Sequence, residues 1–224
     1  MKKKSDLKPD RAIHSKAHPW HGVSIGAGSP STVNAYIEMV PTDTVKYEID
    51  KVSGHLKIDR PQTYSNFCPT LYGFIPQTYS GDRVGERCSR QTNRKNIRGD
   101  DDPIDICVLT ERPVTHGDIL VTVIPIGGLR LIDHGEADDK LIAVLENDSL
   151  FGEWKDISDC SFKLLDRLKH YFLTYKQIPN SSDLPKVEIA EVYGAEEART
   201  IIQLASEDYN DKFRSREASS SPAS

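Results

Sequence analysis

No run of apolar residues in this 224-residue chain is long enough to cross a bilayer, and no apolar leader core follows the lysines of MKKKSDLKPDRAIHSKAHPW. The sequence therefore argues against membrane spanning and export. Cysteine is scarce: Cys68, Cys88, Cys107 and Cys160 form no CxxC pair and stand in no metal-ligand spacing to histidine. Zinc-finger and thioredoxin-type centres are excluded on that spacing, and four reduced thiols in a cytoplasmic protein are the expectation. A basic excess is missing as well, with 29 Lys and Arg against 34 Asp and Glu and a formal net charge of -5. That balance opposes a protein that tracks nucleic-acid phosphates. Gly127-Gly128 lacks the Lys and Ser/Thr of a P-loop and reads as a strand bend, and no internal repeat is present.

What the chain does have is a series of short strand-like runs. NAYIEMV, TVKYEID and HLKIDR are separated by turn residues, with a hairpin turn at KVSG between the second and third. IDICVL, DILVTVIPI, LRLID and KLIAVL follow, rich in Ile and Val. Helical periodicity comes late. In SDCSFKLLDRLKHYFLTYK, Phe162, Leu165, Leu168, Phe172 and Tyr175 recur at three- and four-residue steps after a cap at Ser158 or Asp159. In GAEEARTIIQLASEDYNDKF, Ala198, Ile201, Ile202, Ala205 and Tyr209 share a face. Many strands followed by two helices predict a closed or strongly curved sheet with helices packed outside, a mainly β, α+β fold. A single domain over 35–213 is expected, preceded by a polar N-terminal extension over 1–34 and followed by a flexible Ser/Pro-rich tail over 214–224. The basic segment SGDRVGERCSRQTNRKNIRG is too long for a tight hairpin and reads as a partly helical excursion.

The stretch RGDDDPIDICVL sets Asp100, Asp101, Asp102 and Asp105 against the start of a strand. Carboxylates this close raise one another's pKa and oppose folding unless a positive charge sits among them. An acidic run beside a turn is ordinarily a solvated loop. Here a second set, Asp133, Glu136, Asp138 and Asp139 in LIDHGEADDK, also lies beside a strand end. Two such clusters suit hard divalent cations with oxygen ligands, Mg²⁺ above all, and neither has the ligand order of an EF-hand.

Cations and phenols accompany the acids. Lys46 and Glu48 point to one side of a strand, Arg60 ends the next one beside Asp59, Lys140 follows the second acid cluster, and Tyr175 and Lys176 end the long helix. Singly each reads as a surface side chain with a buried stem. Together they offer a fork, point charges and neutral donors for phosphate oxygens, and with metals they imply phosphoryl chemistry.

GDDDPIDICVL resembles the GDGDPxD signature of the soluble family I inorganic pyrophosphatases. The resemblance continues in the family's order through VKYEIDKVSGHLKIDR, TLYGFIPQTY, LRLIDHGEADDKLIAV and HYFLTYK, over about residues 36–213. It implies an OB-like five-stranded β-barrel with flanking α-helices and hydrolysis of pyrophosphate to two phosphates with several Mg²⁺ ions, Mn²⁺ being a substitute. By motif match Asp100, Asp105 and Asp138 would ligate activating metals, with Asp105 bridging two of them, and Asp133 with Asp138 would hold a metal that arrives with substrate. Asp102 would accept a proton from the attacking water, Glu48 would hold a further metal directly or through water, and Glu38 would support the site. Lys46, Arg60, Tyr72, Lys140, Tyr175 and Lys176 would bind phosphate oxygens, Lys46 and Arg60 on the leaving phosphate and Tyr175 and Lys176 on the other. The implied partners are pyrophosphate, phosphate and further copies of the chain, with no nucleic acid and no membrane.

Three positions depart from the family pattern. Cys68 stands where many members have Tyr, Asp101 replaces the second Gly of the signature, and His134 replaces a common acidic residue. The excursion over 80–99 is absent from the shorter bacterial enzymes, and a basic surface at the mouth of an anionic-substrate site suggests steering or a subunit contact. An OB-type nucleic-acid module is the rival from another class, and the acid clusters oppose it.

Overall fold

Branched side chains fit a pleated sheet, and the Ile- and Val-rich runs become strands. In the computed structural model, which describes residues 16–62, 66–176 and 187–214, the chain passes through β1 (Val33–Met39), β2 (Val45–Ile49), β3 (Leu56–Pro61), β4 (Leu71–Phe74), α1 (Asp82–Thr92), β5 (Arg98–Gly99) and β6 (Asp105–Leu109). It continues through β7 (Ile119–Asp133), β8 (Glu136–Ala137), β9 (Lys140–Leu145), α2 (Phe162–Thr174), β10 (Val187–Gly194) and α3 (Ala195–Tyr209). Strands β1, β4, β6, β9 and β7 bond in that order, and β7 pairs back onto β1 to close a ring of five. Within the ring the β6–β9 contact is parallel and the others are antiparallel. Closure removes the unpaired edges of an open sheet. The expected barrel with flanking helices is what the chain forms.

Strand alternation sorts the core onto two faces of the barrel wall. Ile37, Leu71, Ile106, Val108 and Leu141 cluster with Ala198, Ile201 and Ile202 of α3 and with Val84 and Cys88 of α1. Tyr72, Cys107, Leu109, Ile142 and Val144 cluster instead with Leu168, Tyr171 and Phe172 of α2. Each large apolar side chain fully buried this way contributes about 1.5–3 kcal/mol. Gly73 permits the tightest approach in the wall: a Cβ there would lie 1.8 Å from the Tyr36 carbonyl oxygen.

Several local features differ from the sequence expectation. DILVTVIPI and LRLID are one strand, β7, with a register shift between Pro125 and Gly127 that supplies the expected bend. The α2 cap is Ser161, whose Oγ accepts from Leu164 N at 3.4 Å, while Asp156 and Asp159 form a capping box on the short 3-10 turn Ile157–Asp159. Phe162 consequently lies outside the buried stripe, 69% exposed, and Tyr171 is buried instead. Strand β10, paired with β7 from Val187↔Asp133 to Gly194↔Gly127, was not anticipated, because a bulge between Ile189 and Glu191 breaks its alternation.

The excursion folds as α1 and β5, and three of its five arginines are occupied within the molecule. Arg83 pairs with Asp208 at 2.9 Å and Asp211 at 2.7 Å, Arg87 pairs with Glu197, and Arg94 pairs with Glu188. Through these three residues the basic segment is a clasp onto α3 and β10. Ahead of the barrel, Trp20 is 3% exposed, donates its indole N–H to Thr78 O at 2.8 Å and packs against His21 and Phe213. The first 15 residues, and the expected tail from residue 215 onward, lie outside the described residues.

Candidate active site

The barrel delivers its polar residues to one cleft because strand ends converge there. Asp105 opens β6, Asp100 and Asp102 lie in the turn before it, Asp133 closes β7, and Asp138 leads into β9, which begins at Lys140. Strand β2 brings Lys46 and Glu48, β4 brings Tyr72, and the end of α2 brings Tyr175 and Lys176. All of these line a cleft of ≈ 320 Å³ together with Glu38, Lys51, Tyr171, His134 and Glu136. Arg60 alone of the expected site residues is not in the lining. It stands opposite Lys46 in the β2–β3 register, and both cations share Asp59 Oδ2, at 2.6 Å from Arg60 and 3.3 Å from Lys46.

Backbone irregularities aim two of these groups. A bulge in β1 between Ile37 and Met39 turns Glu38 into the cleft, where its Oε1 accepts from Ile49 N at 2.8 Å. Burial pushes the Glu38 carboxyl up to about 8. A second bulge between Lys46 and Tyr47 leaves Asp59 as the extra residue on β3, between the two cations.

Lys140 is the electrostatic centre of the cleft. Its ammonium is buried and bonds Asp105 Oδ2 and Asp138 Oδ1, while the Tyr72 hydroxyl donates to Asp105 Oδ2 at 2.6 Å. Burial opposes the lysine's charge, yet the carboxylates of Asp105 and Asp138 win and hold it well above the ordinary lysine range. Burial likewise opposes ionisation of Asp138, which Lys140 nevertheless holds below the usual carboxylate range. Asp100 has no such cation of its own. Burial and the neighbouring Asp138 raise it well above that range. At the cleft's other side Lys176 donates to Asp133 Oδ2 at 2.6 Å, and Lys46 donates to Glu48 Oε2 at 3.0 Å.

Lys51 was not among the expected site residues. It pairs with Asp102 Oδ1 from the β2–β3 turn, and burial raises the Asp102 carboxyl in spite of that partner. A turn lysine beyond the strand alternation carries no signal that separates it from a solvated one, so only the folded hairpin reveals it.

The departures from the family motif have local reasons. Asp101 adopts φ 64°, the left-handed region that glycine occupies freely and Asp tolerates best among charged residues. Its carboxylate bonds the Tyr79 hydroxyl rather than joining the cleft. His134 also has positive φ, 51°, and its Nε2 stands 3.6 Å from Asp133 Oδ1. Cys68 is 1% exposed in the core beside Tyr72 and Cys107, and Tyr171 of α2 is among the residues that line the cleft.

The donor set fits hard divalent cations. It is made of carboxylate oxygens, and Asp133 Oδ1 is buried without a hydrogen-bond partner. Among the described residues no three Asp, Glu, His or Cys side chains are already drawn around one cation position. Lysines stand between the carboxylates instead and offset part of their charge.

Residues 35–210 match the family model described as inorganic pyrophosphatase. The chain belongs to the soluble family I inorganic pyrophosphatases. It is 53% identical over 199 residues to the inorganic pyrophosphatase of Chlamydia caviae, covering 88% of this chain and 92% of that one. It is 35% identical to the soluble inorganic pyrophosphatase of Zea mays, covering 86% of this chain and 79% of that one. Among solved structures, the Thermus thermophilus inorganic pyrophosphatase superposes with a TM-score of 0.71 at 26% identity, over 87% of this chain and 99% of that one. An inorganic pyrophosphatase is a hydrolase that converts pyrophosphate to two phosphates with the help of divalent metal. No helix among the described residues is long and apolar enough to cross a membrane.

Proposed function

We propose that this pyrophosphatase works with several Mg²⁺ ions, Mn²⁺ serving as a substitute, held by Asp100, Asp105, Asp133, Asp138 and Glu48. The observation that carries the reading is the joint lining of one ≈ 320 Å³ cleft by these five carboxylates and by Lys46, Tyr72, Lys140, Tyr175 and Lys176. When bound, such ions acidify water and neutralise phosphoryl oxygens. The rest falls to the chain itself. Asp102 takes the proton of the attacking water, and Lys51, paired to it, orients its carboxylate. Lys46 and Arg60, held at one height by their shared partner Asp59, take up charge on the leaving phosphate. Tyr175 and Lys176 receive the other phosphate, and Tyr72 and Lys140 also bind phosphate oxygens. Glu38 braces the hairpin through Ile49 N.

The catalytic unit in this reading is residues 35–213, with 1–34 an extension and 214–224 a tail. It works as a homo-oligomer in the cytoplasm on free pyrophosphate, without a nucleic-acid or membrane partner. Calorimetric titration with Mg²⁺ tests the ligand set. Wild-type protein takes up Mg²⁺, and Asp105→Asn and Asp138→Asn each lose at least one binding event. Unchanged binding in both variants would refute the assignment.

A further inference from the structure

On the short link from β8 into β9, Asp138 and Lys140 line the cleft, and Asp139, between them, faces the opposite side of the wall. There Asp139 is 3% exposed, accepts from the Tyr193 hydroxyl at 2.8 Å and lies 3.8 Å from Arg130 Nε. Arg130 is fully buried on β7, with its carbon centre 4.9 Å from the centroid of the Tyr193 ring. Its two terminal nitrogens are taken by Glu191 of β10 and Glu197 of α3. Glu197 in turn accepts from Arg87 Nε of α1 at 3.0 Å. A continuous chain of charges therefore runs from α1 through α3 and β7 to the peptide that carries Asp138 and Lys140.

Stability alone is a poor reason for this arrangement. Buried ion pairs repay their desolvation only with excellent geometry, and well-packed apolar residues of similar volume usually do as well or better. The geometry here is incomplete: Asp139 Oδ2 and Arg130 Nε are both buried without hydrogen-bond partners. What the network fixes is direction. An apolar side chain at 139 would have no directional partner there, whereas a carboxylate tied to the Tyr193 hydroxyl and facing a clamped guanidinium holds the peptide in one rotation about its axis. Rotation at Asp139 would swing Asp138 and Lys140 together, and with them the contacts to Asp105.

We propose that Arg130 and Asp139, braced by Tyr193, Glu197 and Arg87, are positioning residues that set the orientation of Asp138 and Lys140 from behind the barrel wall. The inference rests on the assignment of Asp138 and Lys140 to the active site. It also gives the α1 excursion a role in catalysis from a distance, as the outer brace of the network.

The test uses Asp139→Asn, which keeps the volume and an acceptor for Tyr193 but removes the charge that faces Arg130. Circular dichroism and the melting midpoint report folding. Mg²⁺ affinity by calorimetry, and kcat and KM for pyrophosphate, report the site. Partners that orient metal ligands through hydrogen bonds typically matter by 10–100-fold, so Mg²⁺ affinity and kcat are expected to fall about 10-fold in the folded variant. Affinity and kcat both within about twofold of wild type, with only the melting midpoint lowered, would overturn the proposal. Should Asp139→Asn not fold, Arg130→Lys, which keeps the charge but loses the fork, is judged by the same criterion. Wild-type protein that binds no Mg²⁺ would instead remove the site assignment itself, an outcome distinct from a variant that matches an active parent.

Discussion

Replacing Lys140 with methionine removes the one ammonium that bridges Asp105 and Asp138 while keeping most of the packing against Phe172, whose ring lies 5.9 Å from Nζ. The lysine side chain is 4% exposed, Asp105 is 24% exposed and Asp138 is 14% exposed. Removing one partner of a buried pair costs about 3–5 kcal/mol. The low end, about 3, applies here because both carboxylates border the cleft and Asp105 keeps its bond from Tyr72. In a chain of this size each kcal/mol moves the melting midpoint by roughly 2–4 °C, so Lys140→Met should melt ~6–12 °C below wild type in EDTA. Saturating Mg²⁺ should then return much of the loss, since a ligand at about 100 times its Kd contributes ~2.7 kcal/mol and no lysine competes for the carboxylates. Scanning calorimetry in EDTA and in Mg²⁺ makes the comparison. A variant within about 2 °C of wild type in EDTA would refute the buried bridge, and a variant that Mg²⁺ fails to stabilise would refute the carboxylates as its ligands.

Other consequences are equally direct. Tyr72→Phe deletes the donor to Asp105 Oδ2 and should cost about 1.5–3 kcal/mol of transition-state or folding free energy, read as a fall in kcat/KM or a lowered midpoint; neither change would mean the bond is not formed. Gly73→Ala puts a Cβ 1.8 Å from the Tyr36 carbonyl oxygen and should prevent soluble expression or lower the midpoint sharply, and a variant as stable as wild type would show that β1 and β4 are not so closely apposed. Burial pushes Cys68 and Cys88 each up to about 11 and raises Cys107 and Cys160 as well. Ellman's reagent at about pH 8 should therefore label the native protein negligibly and the denatured chain at all four thiols, whereas rapid native labelling would contradict their burial.

The barrel was legible in the sequence because its strands are short Ile- and Val-rich runs between turn signals, and α3 because Ala198, Ile201, Ile202, Ala205 and Tyr209 keep helical spacing and are all buried. Bulges hid the rest. One breaks the alternation of β10, so that strand escaped notice, and another re-aims Glu38, whose place in the cleft follows from register and not from period. The cap of α2 fell on Ser161 because the two aspartates upstream had a 3-10 turn to close. Charges are harder still. Arg83, Arg87 and Arg94 of the excursion look like part of a free basic surface in one dimension and become ion pairs only when α3 and β10 fold beside them. The acid clusters were readable since their repulsion requires a compensating charge wherever they sit, but the turn lysine that compensates Asp102 was not.

The central claim is that the carboxylates of this cleft carry the hydrolysis. Phosphate release from pyrophosphate should be measured with and without Mg²⁺ for wild-type protein and for Asp102→Asn and Asp105→Asn, each shown to be folded. The account predicts rapid Mg²⁺-dependent turnover by wild type and its collapse in both variants. Turnover that persists in the folded variants would contradict it.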